Sequence, residues 1–132
     1  MWTSPKTNWK SSDYFNIEDY NRIKNNLDYI HVMALELYSE FPFAEMGEDK
    51  TYSDYYYADE INRFESNLEG INTGTFPRSI GESVTYYDNQ PFIDYIELNR
   101  IEAGIYAIYK ILYGQSKGRR RLSFRLGRRR TV

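Results

Sequence analysis

The chain has 132 residues, enough for one domain with a modest core. With no Cys and a single His, His31, it excludes a disulfide framework and thiol chemistry and argues against a transition-metal site; nothing in it calls for a cofactor. The net charge of −2 hides a split: residues 117–132 carry eight of the 17 basic residues and no acid, which leaves nine basic against 19 acidic residues before them, a body of −10 and a tail of +8.

Residues 1–15 read as extended, because Pro5 disfavours helix at Ser4 and the aromatic residues Trp2, Trp9, Tyr14 and Phe15 need cover. The opening lacks a basic-then-apolar signal pattern, and no apolar run approaches the length of a membrane span. The expectation is a soluble protein that is not secreted by a signal peptide and does not insert in a membrane.

One motif then occurs three times: Asp19-Tyr20-Asn21-Arg22-Ile23, Glu60-Ile61-Asn62-Arg63-Phe64 and Glu97-Leu98-Asn99-Arg100-Ile101. Each copy continues into an apolar ladder with steps of three and four: Tyr20, Ile23, Leu27, Ile30, Ala34, Leu37; Ile61, Phe64, Leu68, Ile71; Leu98, Ile101, Ile105, Ile108, Leu112. That spacing is one face of an α-helix, and its recurrence reads as an internal repeat. The first helix is expected from Ile17, capped by Asn16 with Asp19 three residues on, to Glu40 before Pro42. The second is expected over Ala58–Glu69 with Gly70 or Gly74 as its stop, and the third from Asp94, paired with Glu97, to Tyr113 with Gly114 as its stop.

The connections are too long for hairpins, and each could return the chain so that like helices run parallel. Phe41-Pro42, Met46-Gly47-Glu48 and Thr51-Tyr52 in the first are echoed by Phe76-Pro77, Ile80-Gly81-Glu82 and Thr85-Tyr86 in the second. The Thr-Tyr stretches read as short extended segments, open to strand formation. Past Gly114, residues 119–130 read Arg-Arg-Arg-Leu-Ser-Phe-Arg-Leu-Gly-Arg-Arg-Arg. Leu122, Phe124 and Leu126 alternate with Ser123 and Arg125, which predicts an extended, strand-like arm between Arg119, Arg120, Arg121 and Arg128, Arg129, Arg130. The fold class is therefore mainly α: a body of three repeated helices joined by long Tyr-rich linkers, over 1–114, and an extended basic arm, over 115–132.

The chemistry of these residues admits more than one reading. Asn21, Arg22, Asn62, Arg63, Asn99 and Arg100 fit a joint between linker and helix, the arginines and asparagines reaching linker backbone; a three-fold ligand site is the alternative. The carboxylates show no spacing that singles out a catalytic pair, and His31 has no nucleophile motif beside it. No phosphate loop is present, and no enzyme activity is expected. The linker tyrosines, Tyr55, Tyr56, Tyr86 and Tyr87 among them, either staple linkers to helices or form a surface for sugar rings or a protein partner. Around Tyr29–Leu35 and Ile105–Tyr109 the helices are apolar almost all round, which fits either a partner chain or a helix packed between its sisters. The arm could hold nucleic acid through phosphates, dock on a partner's sheet edge, or lie on the acidic body of another copy. The acidic body makes nucleic acid the weaker of these.

Trp2-Thr3-Ser4-Pro5-Lys6-Thr7-Asn8-Trp9, Asp13-Tyr14-Phe15-Asn16 and Asp19-Tyr20-Asn21-Arg22-Ile23, with Arg120-Arg121-Leu122-Ser123-Phe124-Arg125-Leu126-Gly127 at the other end, resemble segments of small tail-region structural proteins of phages and prophages of Gram-positive bacteria. The resemblance implies a non-enzymatic part of a tail tip, baseplate or fibre attachment. It implies other virion tail proteins as partners, a homo-oligomeric or multicopy assembly, and synthesis in the host cytoplasm before entry into the virion. It transfers no catalytic residue.

Overall fold

The structure is a computed structural model and describes residues 2–53, 57–77, 79–87 and 93–130, with side chains through residue 118. Three helices follow in order: α1, Ile17–Leu37; α2, Ala58–Gly74; α3, Tyr95–Arg130. No strand occurs among the described residues, so Thr51-Tyr52 and Thr85-Tyr86 are not strands. The helix starts follow the acids of the motif. The Asp19 and Glu60 carboxylates accept the N–H groups of Asn16 and Tyr57, and the Asp94 carboxylate accepts the N–H of Glu97.

The ladders form one core. Tyr20, Ile23, Leu27, Ile30 and Ala34 of α1, Ile61, Phe64, Leu68 and Ile71 of α2, and Leu98, Ile101, Ile105, Ile108 and Leu112 of α3 are buried together. The helices run parallel. Arg22 of α1, and then Tyr38 just past its end, meet Glu102 and then Gln115 of α3, in the same order along both. Arg100 and Gly104 of α3 meet Glu65 and Leu68 of α2 in the same way.

Parallel helices oblige each connection to travel back along the bundle, and α1 alone is about 31 Å long. The connections do so as straps lying in the grooves. Residues 2–16 pass down between α1 and α3, touching Asn26, then Glu102, then Asn99. Residues 38–53 pass Asn67 of α2, then Lys24, Asn21 and Glu18 of α1. The third strap, 75–87, passes Gly104 and Arg100 of α3, then Glu65 and Asn62 of α2. Three grooves are thus filled by three straps.

Three helix ends differ from expectation. α2 runs on through Gly70 and ends at Gly74 rather than Glu69. α1 stops at Leu37 rather than Glu40: Tyr38 turns extended, gives its N–H to Ala34 O, and sends its hydroxyl to Gln115. The chain must leave the helix there to bring Phe41 against Gly74. α3 does not stop at Gly114 but runs to Arg130. Gly114 is not among the glycines with positive φ, and a glycine without the left-handed conformation only weakens a helix, by about 1 kcal/mol relative to Ala. Residues 115–130 are therefore helical rather than an extended arm, and the 114/115 boundary falls inside one helix. Leu122, Phe124 and Leu126, spaced for one side of a strand, lie on helical backbone.

Candidate functional site

A strap without strand partners leaves its backbone N–H and C=O groups in need of side-chain partners. Asn carries one donor and one acceptor on a planar group, the complement of one residue's backbone pair. Asn21 donates to Lys50 O at 2.9 Å and accepts from Lys50 N at 2.8 Å. Asn62 does the same to Tyr86, at 2.8 and 2.7 Å, and Asn99 to Trp9, at 3.0 and 2.7 Å. Each motif Asn therefore grips the strap that enters the next helix, and the third helix grips the strap that enters the first.

A second clamp stands five residues further along. Asn26 grips Thr3 through both backbone groups, and Asn67 grips Ala44. The corresponding position of α3 is Gly104, where a Cβ would stand 3.4 Å from Leu68 and 3.6 Å from Ile80. There the side chain of Ile80 occupies the space that an Asn would need. Clamped residues are six apart in every strap: Thr3 and Trp9, Ala44 and Lys50, then Ile80 beside Gly104 and Tyr86. Tyr86 therefore stands where Lys50 stands. The matching by Thr51-Tyr52 and Thr85-Tyr86 is two residues out of register with the structure.

Among the described residues the arginines bind carboxylates rather than the strap carbonyls that their sequence positions suggested. Arg22 forms a two-pronged pair with Glu102, both bonds 2.8 Å, and a third bond to Asp19. Glu102 is fully buried and also accepts from Lys6 N and from the indole Nε1 of Trp9. Arg100 pairs with Glu97 and Glu65, and Glu65 also accepts from the Tyr86 hydroxyl and Val84 N. Burial opposes the charge of both arginines, but the carboxylates outweigh it and raise their pKa. Burial and the Glu65 carboxylate likewise raise the Tyr86 phenol, so it stays a neutral donor. Gly81, at φ 85°, leaves room for the Arg100 stem: a Cβ there would stand 2.5 Å from Arg100 Cδ.

The third corner has the opposite polarity. The position held by Glu65 and Glu102 is Lys24 in α1, and Lys24 gives its ammonium to Gly47 O and Asp49. Arg63 has no acid to meet there. Its side chain is 47% exposed, and among the described residues its one ion pair is with Asp59, at 3.9 Å. Lys50, the clamped residue of that strap, turns to Glu60 at 2.8 Å. Lys24, Glu65, Glu102, Asn26 and Asn67 were not singled out from the sequence. Their signal was there, as a charged residue three after each motif Asn and an amide five after the first two, pressed between ladder positions.

Among the linker tyrosines, Tyr86 is buried and belongs to the joint, while Tyr87 is 66% exposed, with Tyr52 at 86% and Tyr57 at 57%. Tyr55 and Tyr56 lie outside the described residues. Trp2 stacks on Tyr109 at 3.9 Å and Trp9 is buried, which staples the first strap to α3. A cavity of about 590 Å³ lies over α2, with Phe41, Pro42, Glu65, Glu69, Ser83 and Val84 in its wall. Among the described residues no cluster of His, Cys, Asp or Glu could hold a metal ion, and no helix is long and apolar enough to cross a membrane.

No family model, curated protein or solved structure matches the chain.

Proposed function

We propose that this chain is a non-enzymatic structural protein of a phage tail or tail-like particle, in the tail tip, baseplate or fibre attachment. The three helix–strap units act as copies of one element that build a rigid body, and the basic end of α3 docks that body to other subunits. The observation that carries this reading is the use of the buried polar groups. Clamps and ion pairs tie strap to helix, whereas residues 117–132 carry eight basic residues and no acid at the end of the chain. The resemblance of both chain ends to tail-region proteins supports the placement.

Incorporation into particles tests it. Deleting residues 117–132 abolishes incorporation; Leu122→Ala with Phe124→Ala has the same effect, and changing Arg119, Arg120 and Arg121 to Gln weakens it. Normal incorporation of the deletion variant overturns the reading. A second reading draws on the exposed Tyr52, Tyr57 and Tyr87: a glycan-binding module would bind cell-wall sugars without the basic segment and lose binding on Tyr87→Ala. A nucleic-acid accessory would bind duplex with a steep salt dependence that disappears with residues 117–132.

A further inference from the structure

Glu65 and Glu102 hold the same position in α2 and α3, three residues after the motif Asn, and they are not equally satisfied. Glu102 uses both oxygens. Oε1 takes Lys6 N and Arg22 Nε, and Oε2 takes the Trp9 indole and a terminal nitrogen of Arg22. Glu65 gathers Val84 N, the Tyr86 hydroxyl and Arg100 onto Oε2 alone. The residue is only 3% exposed, and its Oε1 has no hydrogen-bond partner among the described residues. A buried carboxylate oxygen without a donor is costly, and such an atom calls for an explanation.

Glu65 is part of the wall of the cavity of about 590 Å³ over α2. Where α1 carries Tyr29 and Met33, the equivalent positions of α2 are Gly70 and Gly74. These glycines let the start of the strap lie on the helix itself: a Cβ at Gly70 would stand 2.9 Å from Pro42 O, and one at Gly74 2.6 Å from the Phe41 ring. Phe41 and Pro42 thus line the cavity from one strap, Ser83 and Val84 from the next, and α2 forms the base between them. Glu69 stands on that base one turn beyond Glu65, exposed, with the Ser83 hydroxyl on one of its oxygens at 2.9 Å. No Lys or Arg stands in the described wall, and Arg100 is shared between Glu65 and Glu97, so the balance of charge there is negative.

These surroundings select a positively charged donor on a short apolar stem. Two carboxylates repel a phosphate or another acid. A sugar ring would want an open aromatic face, and Phe41 already packs on Gly74 and edge-on against His31. We propose that the cavity over α2 binds an alkylguanidinium or alkylammonium group, held at the mouth by Glu69 and at the base by Glu65 Oε1, with the stem against Phe41, Pro42 and Val84. The last torsion of a Glu side chain is soft, so Oε1 can turn to an N–H entering from the cavity while the helix stays in place. The source of the cation is a free small molecule or an Arg or Lys side chain of another chain. The site goes beyond the docking of the α3 end and does not rest on it.

Nuclear magnetic resonance titration of the full chain tests it, with ethylguanidinium and n-butylammonium chlorides as probes and n-butanol as the neutral control at constant ionic strength. Saturable shifts are expected at the amides of Gly70, Ser83 and Val84 with either cation, and none with butanol. Glu69→Gln should weaken binding about fivefold, the effect of one exposed ion pair. Ser66→Trp, at an exposed position on the base, fills the cavity from outside and should abolish binding with the helical circular dichroism signal intact. Glu65→Gln should abolish it too; because that change also takes a charge from Arg100, the Ser66 and Glu69 variants decide the matter if it fails to fold. An acetyl-Gly-Arg-Gly amide peptide that binds more tightly than ethylguanidinium assigns the cation to another chain, and one that binds more weakly assigns it to a free molecule. Absence of saturable shifts with both cations, an equal response to butanol, or binding unchanged by Ser66→Trp overturns the proposal.

Discussion

The corner where Arg22 meets Glu102 and the corner around Lys24 solve one problem with opposite charges. In the first, a buried carboxylate takes a strap N–H from Lys6, the indole of Trp9 and both prongs of Arg22. In the second, an ammonium reaches the strap carbonyl of Gly47 and the mostly exposed Asp49. A strap offers both donors and acceptors, so either sign can hold it. The choice has a consequence on the neighbouring helix. A buried acid needs a cation across the groove, and Arg22 and Arg100 are drawn in to supply it. A Lys gives Arg63 nothing to meet, and Arg63 stays at the surface. Identical Asn-Arg pairs in the sequence therefore have unequal energetic roles.

That contrast can be broken most severely at Arg22. Arg22→Leu leaves Glu102 charged and buried, and we expect a loss of about 3–5 kcal/mol in denaturant unfolding. Arg63→Leu, the same change at the open corner, should stay within about 0.5 kcal/mol. Equal effects would show that the two corners do not differ as described. Next in size, Leu27→Ala, Leu68→Ala and Ile105→Ala should each cost about 2–5 kcal/mol, since all three side chains are nearly or fully buried. Thermal unfolding unchanged by these substitutions would remove the shared core on which the corner comparison stands.

Smaller effects sharpen the comparison at the straps. Asn21→Ala, Asn62→Ala and Asn99→Ala each strip partners from one strap residue, and about 1–3 kcal/mol is expected for each. Lys24→Met belongs in the same range, because Gly47 O loses its donor while Asp49 can rehydrate. Hydrogen exchange at Lys50, Tyr86 and Trp9 should rise in the matching Asn variant and not in the other two.

The smallest expected effect is a pH dependence on the far side of α1. His31 stacks on Phe43 at 3.8 Å, and burial lowers its pKa below 6.5 although Asp28 and Glu40 pull the other way. Between the folded and unfolded pKa values the unfolded chain binds more protons. The His31 contribution is therefore complete above about pH 6.5 and is lost as pH falls through the lower, folded value. His31→Asn should flatten the slope of stability against pH just below 6.5; a slope unchanged by that substitution would assign it to other groups.

Much of this architecture could be read before folding, and for a clear reason. The ladders of α1, α2 and α3 are long and strictly periodic, and burial of such a stripe needs no knowledge of the partner. The acids before each Asn-Arg pair marked the helix starts because they act locally, on the first turn. The straps were harder. Their residues have no period of their own, and their place depends on which helix side chains reach them. Tyr86 could be read as a staple between linker and helix or as part of a binding surface; it is held inside by Asn62 and Glu65, while Tyr52, its match by local sequence, is outside.

From its sequence alone the chain determined that it would make three amphipathic helices with a shared face and a basic end, because side-chain spacing and charge are properties of the sequence itself. Only the tertiary structure decided that the helices run parallel, that Asn rather than Arg grips the straps, that α1 ends at Leu37, and that α3 continues through Gly114. These depend on which groups meet across a groove. A backbone amide, a buried carboxylate and a guanidinium can each be satisfied in several ways, and the choice falls to whichever partner the packed helices bring within hydrogen-bond reach.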